Sequence, residues 1–193
     1  MNKYPEVKIS RAMKYLLIPK ALWLWARYNV MVWLLKRRNR PMPILVHPDP
    51  KLARIAEPVD FKKESYDELS TIVRKMGNAL SSVSYGGKLG LAAPQIGINK
   101  RICIVQGAVM FNPHWQPSKA PLNMGFEGCY SVPNREFKVW RAPYGWATWQ
   151  SIEGVQRSKK MHGQLAVVFQ HELDHLDGKC CVDVGEEVPA KSG

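Results

Sequence analysis

The segment FQHELDHLDG, residues 169–178, carries the most informative spacing in the chain. It places His171 and His175 four residues apart, with Glu172 directly after the first histidine. On an α-helix, side chains at i and i+4 project from one face, so both imidazoles can bind one metal ion. Glu172 is then close enough to hydrogen-bond a water on that ion. The pattern predicts a metal-dependent hydrolase.

The residues before this motif bear on whether the site is real. The apolar run LAVVFQ, residues 165–170, leads directly into His171. A helix that begins in a hydrophobic core brings its polar residues to an interior cleft. This favours an interior metal site over the alternative of two solvated histidines on a surface helix.

The third protein ligand decides the class of hydrolase, and two cysteines compete for the position. Cys181 lies six residues after His175, where metzincin proteases have their third histidine. Cys129, within FEGCYSVP, is the other candidate. A glutamate far downstream, used by other zincin proteases, is disfavoured because only 18 residues follow His175.

Composition limits the remaining possibilities. The chain has 193 residues, of which 46% are hydrophobic and 23% charged, which is typical of a globular protein and not of a disordered one. Its four cysteines are too few to indicate a disulfide framework. A thiolate ligand suits a reducing compartment, so we expect the cytoplasm.

The net charge of +12 comes mostly from the N-terminus. Residues 1–41 hold ten Lys/Arg and one acid, and residues 15–35 contain 17 apolar or aromatic residues of 21. Lys20 and Arg27 interrupt that run, so a signal peptide fits poorly and a membrane-spanning helix is marginal. With its tryptophans, the segment is typical of an interfacial membrane helix. Two alternatives remain for this segment: an inert or untranslated extension, and a contact with the ribosome or nucleic acid. No specific DNA binding is expected.

The catalytic domain is predicted to cover residues 42–193. Apolar residues at helical spacing predict an amphipathic helix over 64–83, and a second helix over about 163–176 carries the His/Glu motif. Between them, short apolar runs separated by Gly, Pro and Asn indicate antiparallel strands. We therefore expect an α+β fold, with antiparallel β-sheets packed around a central helix that carries the HExxH motif.

Three motifs together resemble those of the peptide deformylases. LGLAAPQ (89–95), EGCYS (127–131) and QHELDH (170–175) occur in that family's order and with similar spacing, and HPDPKLARIAEPV (47–59) resembles its usual beginning. The resemblance covers residues 42–183. It implies that Cys129, His171 and His175 bind the metal and that Cys180 and Cys181 take apolar core positions. Cys103 is expected to be a buried strand residue.

The resemblance also implies an activity: removal of the formyl group from the N-terminal methionine of nascent peptides, with release of formate. Glu172 would transfer protons, while the Gln95 side chain and the backbone N–H of Tyr130 would stabilise the oxyanion. The metal would be Fe²⁺, with Zn²⁺ or another divalent ion as alternatives. The residues expected to contact the peptide and its methionine side chain are Leu89, Gly90, Glu127, Gly128, Val167 and Val168.

The sequence departs from the family pattern in several places. Lys88 replaces the first glycine of the usual Gly-x-Gly-Leu, Tyr130 replaces a leucine, and Arg135 is shifted by one position. The resemblance is to short members, carried by bacteriophages, that lack the C-terminal helix with which many bacterial members dock on the ribosome. We expect residues 1–41 to supply that localisation instead, at a membrane surface or the ribosome.

Overall fold

The computed structural model describes residues 42–83 and 89–189 of the chain. The predictions for the N-terminal segment 1–41 and for Lys88 lie outside these residues. The division into an extension and a catalytic domain therefore stays a prediction.

Helix α1, Tyr66–Ser82, begins at a reciprocal cap. The Ser65 hydroxyl accepts a hydrogen bond from the Glu68 backbone N–H, and the Glu68 carboxylate accepts one from the Ser65 N–H. Such a capping box satisfies two backbone donors that a helix start leaves without partners. The buried residues of α1 include Leu69 and Met76, which pack in one cluster with the first strands. The helix predicted over 64–83 is confirmed.

In the part of the chain that the structure describes, eight strands follow in two antiparallel sheets. In chain order they are β1 (Gly90–Ala92), β2 (Ile102–Val105), β3 (Ala108–Pro117), β4 (Asn123–Cys129), β5 (Val132–Arg141), β6 (Tyr144–Gln150), β7 (Gln156–His162) and β8 (Glu186–Glu187). One sheet has the order β1-β2-β3-β6-β7 and the other the order β4-β5-β8. Strand β1 forms an edge of the first sheet and β4 an edge of the second. The antiparallel strands expected from the sequence are confirmed.

Helix α2, Gly163–Leu176, packs on the five-stranded sheet. Its buried residues Ala166, Phe169 and Leu176 share a core cluster with residues of β2, β6 and β7, among them Cys103. The bounds agree with those predicted, and the helix carries the His/Glu motif in its last two turns. The α+β class is thus confirmed.

The three-stranded sheet has its own core. Phe137 and Val139 of β5 are buried there with Cys180 and with Cys181, the first residue of the short helix α3 (Cys181–Val184). Cys180, Cys181 and Cys103 are buried, as predicted. Within residues 42–83 and 89–189, no helix has the length and apolar character needed to cross a membrane.

Candidate metal centre

Cys129, His171 and His175 converge on one point between β4 and α2. Their ligand atoms all lie within 4.8 Å of one another. The Sγ of Cys129 is 3.1 Å from Nε2 of His175, and the two imidazole centroids are 5.0 Å apart. A register shift between Gly128 and Cys129 marks the end of β4, where the strand brings its sulfur to the helix.

The donor set fits a catalytic transition-metal site. One sulfur and two imidazole nitrogens suit Fe²⁺ or Zn²⁺. Catalytic zinc sites have three protein ligands and keep a further position for water or substrate. Because burial lowers the pKa of His175 well below its usual value, the ring is neutral and can act as a ligand.

Glu127 orients one of these imidazoles. Its carboxylate lies 2.9 Å from Nδ1 of His171 and accepts two hydrogen bonds from Arg141, at 2.8 and 2.9 Å. A third nitrogen of Arg141 bonds to Asp174 at 2.6 Å. Burial opposes ionisation of Glu127, but hydrogen bonds from Arg141 and His171 outweigh it and lower its pKa to about 2. The ionised carboxylate therefore holds Nε2 of His171 toward the centre.

Glu172 is a buried carboxyl group without a hydrogen-bond partner for Oε2 among the described residues. It is 3% exposed, and burial raises its pKa to about 7. The side chain rests directly on Gly90 of β1, where any Cβ would collide with it. A carboxyl group with a pKa near neutrality can both take up and release a proton at physiological pH.

Gln95 lies in a short 3₁₀ helix, Ala93–Ile96, that follows β1. Its Oε1 accepts a hydrogen bond of 2.9 Å from the backbone N–H of Ala92, which fixes the orientation of the amide. The Nε2 group consequently faces the centre, 3.2 Å from Oγ of Ser131 and 3.7 Å from Sγ of Cys129. The amide thus caps a turn with one end and presents a donor with the other.

The centre opens into a cleft of about 660 Å³. All six residues predicted to contact the peptide line it, and so do Gln95, Tyr130 and Glu172. Glu127 lines the cleft as predicted, but its carboxylate is also hydrogen-bonded to His171 and Arg141. The sequence did not suggest this second role. The cleft is also lined by residues that sequence analysis did not assign to it, among them Phe126, Gln164, Arg135 and Glu187.

Cys181, the competing ligand, lies beside Cys129 but outside the converging group. A hydrogen bond between the two thiols raises the pKa of Cys129 and lowers that of Cys181. Coordination to a divalent cation deprotonates a thiol outright and would therefore reverse this order.

Comparison with known proteins agrees with this geometry. The sequence profile of the polypeptide deformylases matches residues 41–189. The chain belongs to the polypeptide deformylase family. As a member it is an enzyme, a hydrolase of protein biosynthesis, and the zincin alternative is not supported.

Individual deformylases show how close the similarity is. The peptide deformylase of Alkalilimnicola ehrlichii is 33% identical over 163 residues, which are 78% of this chain and 85% of the relative. The crystal structure of a Synechococcus elongatus peptide deformylase in complex with actinonin superposes with a TM-score of 0.68 and 30% identity, covering 76% of this chain and 80% of that one. A class I type b deformylase from Acinetobacter baumannii with Met-Ala-Ser bound also gives 0.68, at 27% identity, over 75% and 98% of the two chains.

Proposed function

We propose that this chain removes the formyl group from N-formylmethionyl peptides, releasing formate and a free α-amine. One observation carries the proposal. Cys129, His171 and His175 converge next to the buried carboxyl of Glu172, within a cleft that can hold a peptide N-terminus. Family membership supports it, as does the relative whose structure contains Met-Ala-Ser.

The reaction joins a water oxygen to the formyl carbon and breaks its bond to nitrogen. A divalent cation held by Cys129, His171 and His175 would act as a Lewis acid and lower the pKa of a water ligand to about 7. Glu172 would take the proton from water and pass it to the departing amine. Burial raises the pKa of this carboxyl group, which favours its uptake of the proton.

Two donors of this chain would stabilise the negative charge that develops on the formyl oxygen. They are Nε2 of Gln95, whose orientation is fixed through its Oε1, and the backbone N–H of Tyr130 beside Cys129. One such donor is typically worth about 3 kcal/mol in the transition state.

The peptide would lie as an added strand along the edge of β1 that pairs with no strand within residues 42–83 and 89–189, with Gly90 allowing close approach. Backbone pairing of this kind gives affinity without demanding a sequence. Leu89, Val167 and Val168 provide an apolar wall of the cleft for the methionine side chain. Gly128 lies on its opposite side, in β4.

We propose that helix α2 is the central element of the catalytic fold. Phe169 packs it on the five-stranded sheet. The pairs His171–Glu127 and Asp174–Arg141 join it to the other sheet.

We further propose Fe²⁺ as the native ion. Metal analysis of anaerobically purified protein would test this, and active enzyme that contains only zinc would contradict it.

Formate release from formyl-Met-Ala-Ser tests the activity. Anaerobically purified protein is expected to release one formate per peptide, and the Glu172→Gln variant is expected to bind metal but lose turnover. Full activity in that variant would show that the assigned proton-transfer group is wrong. No formate from the metal-loaded native protein would refute the proposed function.

For residues 1–41 we propose localisation of a cytoplasmic enzyme to the membrane surface or the ribosome. Ten Lys/Arg and a Trp-rich apolar run support this proposal. Co-sedimentation of the full chain and of a chain starting at Met42 with vesicles and with ribosomes tests it. Equal sedimentation of the two proteins in both experiments would contradict it.

A further inference from the structure

The outer face of the three-stranded sheet carries large apolar side chains in solvent. Met124 is 43% exposed, Phe126 56% and Trp140 62%. Met124 of β4 pairs directly with Trp140 of β5, so these two side chains are neighbours. The opposite face of the same strands is buried around Phe137 and Val139. Lys138 and Glu136 share the exposed face, so its apolar side chains are grouped at Met124, Phe126 and Trp140.

This exposed face continues the wall of the catalytic cleft. Side chains two residues apart on a strand share one face, so Gly128, Phe126 and Met124 lie in one row along β4. Gly128 and Phe126 line the cleft, as does Glu136, the partner of Gly128 across the sheet. We call Met124, Phe126 and Trp140 the apolar shelf. It lies on the outer face of the sheet and adjoins the cleft at Phe126 and Gly128.

We infer that the apolar shelf binds the part of the substrate peptide that follows the N-terminal methionine and its neighbours, and that it favours apolar residues there. The inference rests on the proposed function. Met124 precedes Cys129 by five residues, about 17 Å along a strand. An extended peptide has the same rise per residue, so roughly its fourth to sixth residues reach the shelf.

Substrate geometry favours this occupant over two others. Because the formyl group is at the peptide's N-terminus, the remaining chain has to leave the cleft along one of its walls. Among the strands of residues 42–83 and 89–189, β4 pairs only with β5, so within this part of the chain its other edge can accept an extended peptide. A second protein copy would need roughly 800 Å² per partner, far more than three side chains provide. Binding to a membrane surface scales with the apolar area that is buried, of which three side chains provide little.

Three peptides test the inference: formyl-Met-Ala-Ser and its extensions by three leucines or by three serines. We expect kcat/KM for the leucine peptide to exceed that for the serine peptide about tenfold, the effect of covering roughly 60 Å² of apolar surface. In the double variant Met124→Ser/Trp140→Ser, this ratio is expected to fall to about one, while the tripeptide reacts as before. Trp146→Ser is the matched control, because Trp146 is 52% exposed on the other sheet.

Each outcome separates the alternatives. Equal rates for the two extended peptides with the native enzyme would overturn the inference, however the variants fold. If the double variant keeps the preference for the leucine peptide, the inference is also wrong. Loss of self-association or of vesicle binding in that variant, with the peptide preference unchanged, would assign the apolar shelf to one of the other two occupants. Absence of turnover on all three peptides would contradict the proposed function itself.

Discussion

Gly90 lies against the side chain of Glu172. A Cβ added at position 90 would stand only 2.8 Å from Cδ and 2.9 Å from Cγ of that glutamate. The edge strand β1 and helix α2 therefore approach so closely that only hydrogen fits between them. In this chain the glycine of LGLAAPQ sets the position of the carboxylate that we propose as the proton-transfer group.

Replacing Gly90 by alanine is expected to displace the Glu172 carboxylate and lower kcat about 100-fold, the usual cost of moving a reacting group by about 1 Å. Metal content should not change, because neither histidine is touched. Gly77→Ala is the control: its Cβ meets nothing within 4 Å, and alanine should stabilise helix α1 by about 0.5–1 kcal/mol. Formate assays give kcat, and thermal unfolding gives the stability, of the two variants. An active Gly90→Ala enzyme would contradict the assigned role of Glu172.

Gln95→Glu is expected to lower kcat by about 10²–10³, because it removes a donor and keeps the acceptor for the Ala92 N–H. Ser131→Ala leaves Nε2 of Gln95 in place, so it should cost less than about tenfold. Steady-state kinetics on a formylated tripeptide compares them. Similar losses in both variants would mean that Gln95 has only a structural role.

Glu127→Gln should weaken metal binding about 10–100-fold, because the neutral amide no longer holds the Nδ1 of His171 as a carboxylate does. It also removes one of the two carboxylates that pair with the buried Arg141 and leaves only Asp174, which lowers the free energy of unfolding. Competition with a chromophoric chelator gives the affinity. Glu187→Gln serves as the control, since that carboxylate lines the same cleft but pairs with Arg135. Identical affinities in the two variants would contradict the role of Glu127.

Cys129→Ala is expected to abolish the thiolate-to-metal absorption band of the cobalt-loaded protein. Cys181→Ala should keep that band, because Cys181 lies outside the converging ligands. Absorption spectra of both cobalt-substituted variants show which of the two cysteines binds the metal. The opposite pattern would move the third ligand to the protease-like position.

Much of the fold was accessible from local patterns. The spacing of apolar residues predicted the helix over 64–83, and the spacing of His171 and His175 predicted a shared helix face. These features depend on residues within one turn of each other. The choice between Cys129 and Cys181 could not be made from spacing, because it depends on where β4 ends relative to α2.

The ion-pair network around the centre was not predicted. Arg141 continues the buried positions Phe137 and Val139 at a period of two, so its burial could have been inferred from β5. Its partners could not, since Glu127 and Asp174 lie 14 and 33 residues away in sequence. The apolar shelf was missed for a related reason: which face of β4 stays uncovered is decided by tertiary packing.

The three converging side chains come from separate parts of the molecule, a strand end in one sheet and a helix seated on the other. A cation bound by all of them would act as a cross-link between the halves. Binding energy at such a junction is also folding energy. Chelators should therefore weaken the resistance of the protein to heat as well as its turnover, so that loss of the ion exposes the chain to proteolysis.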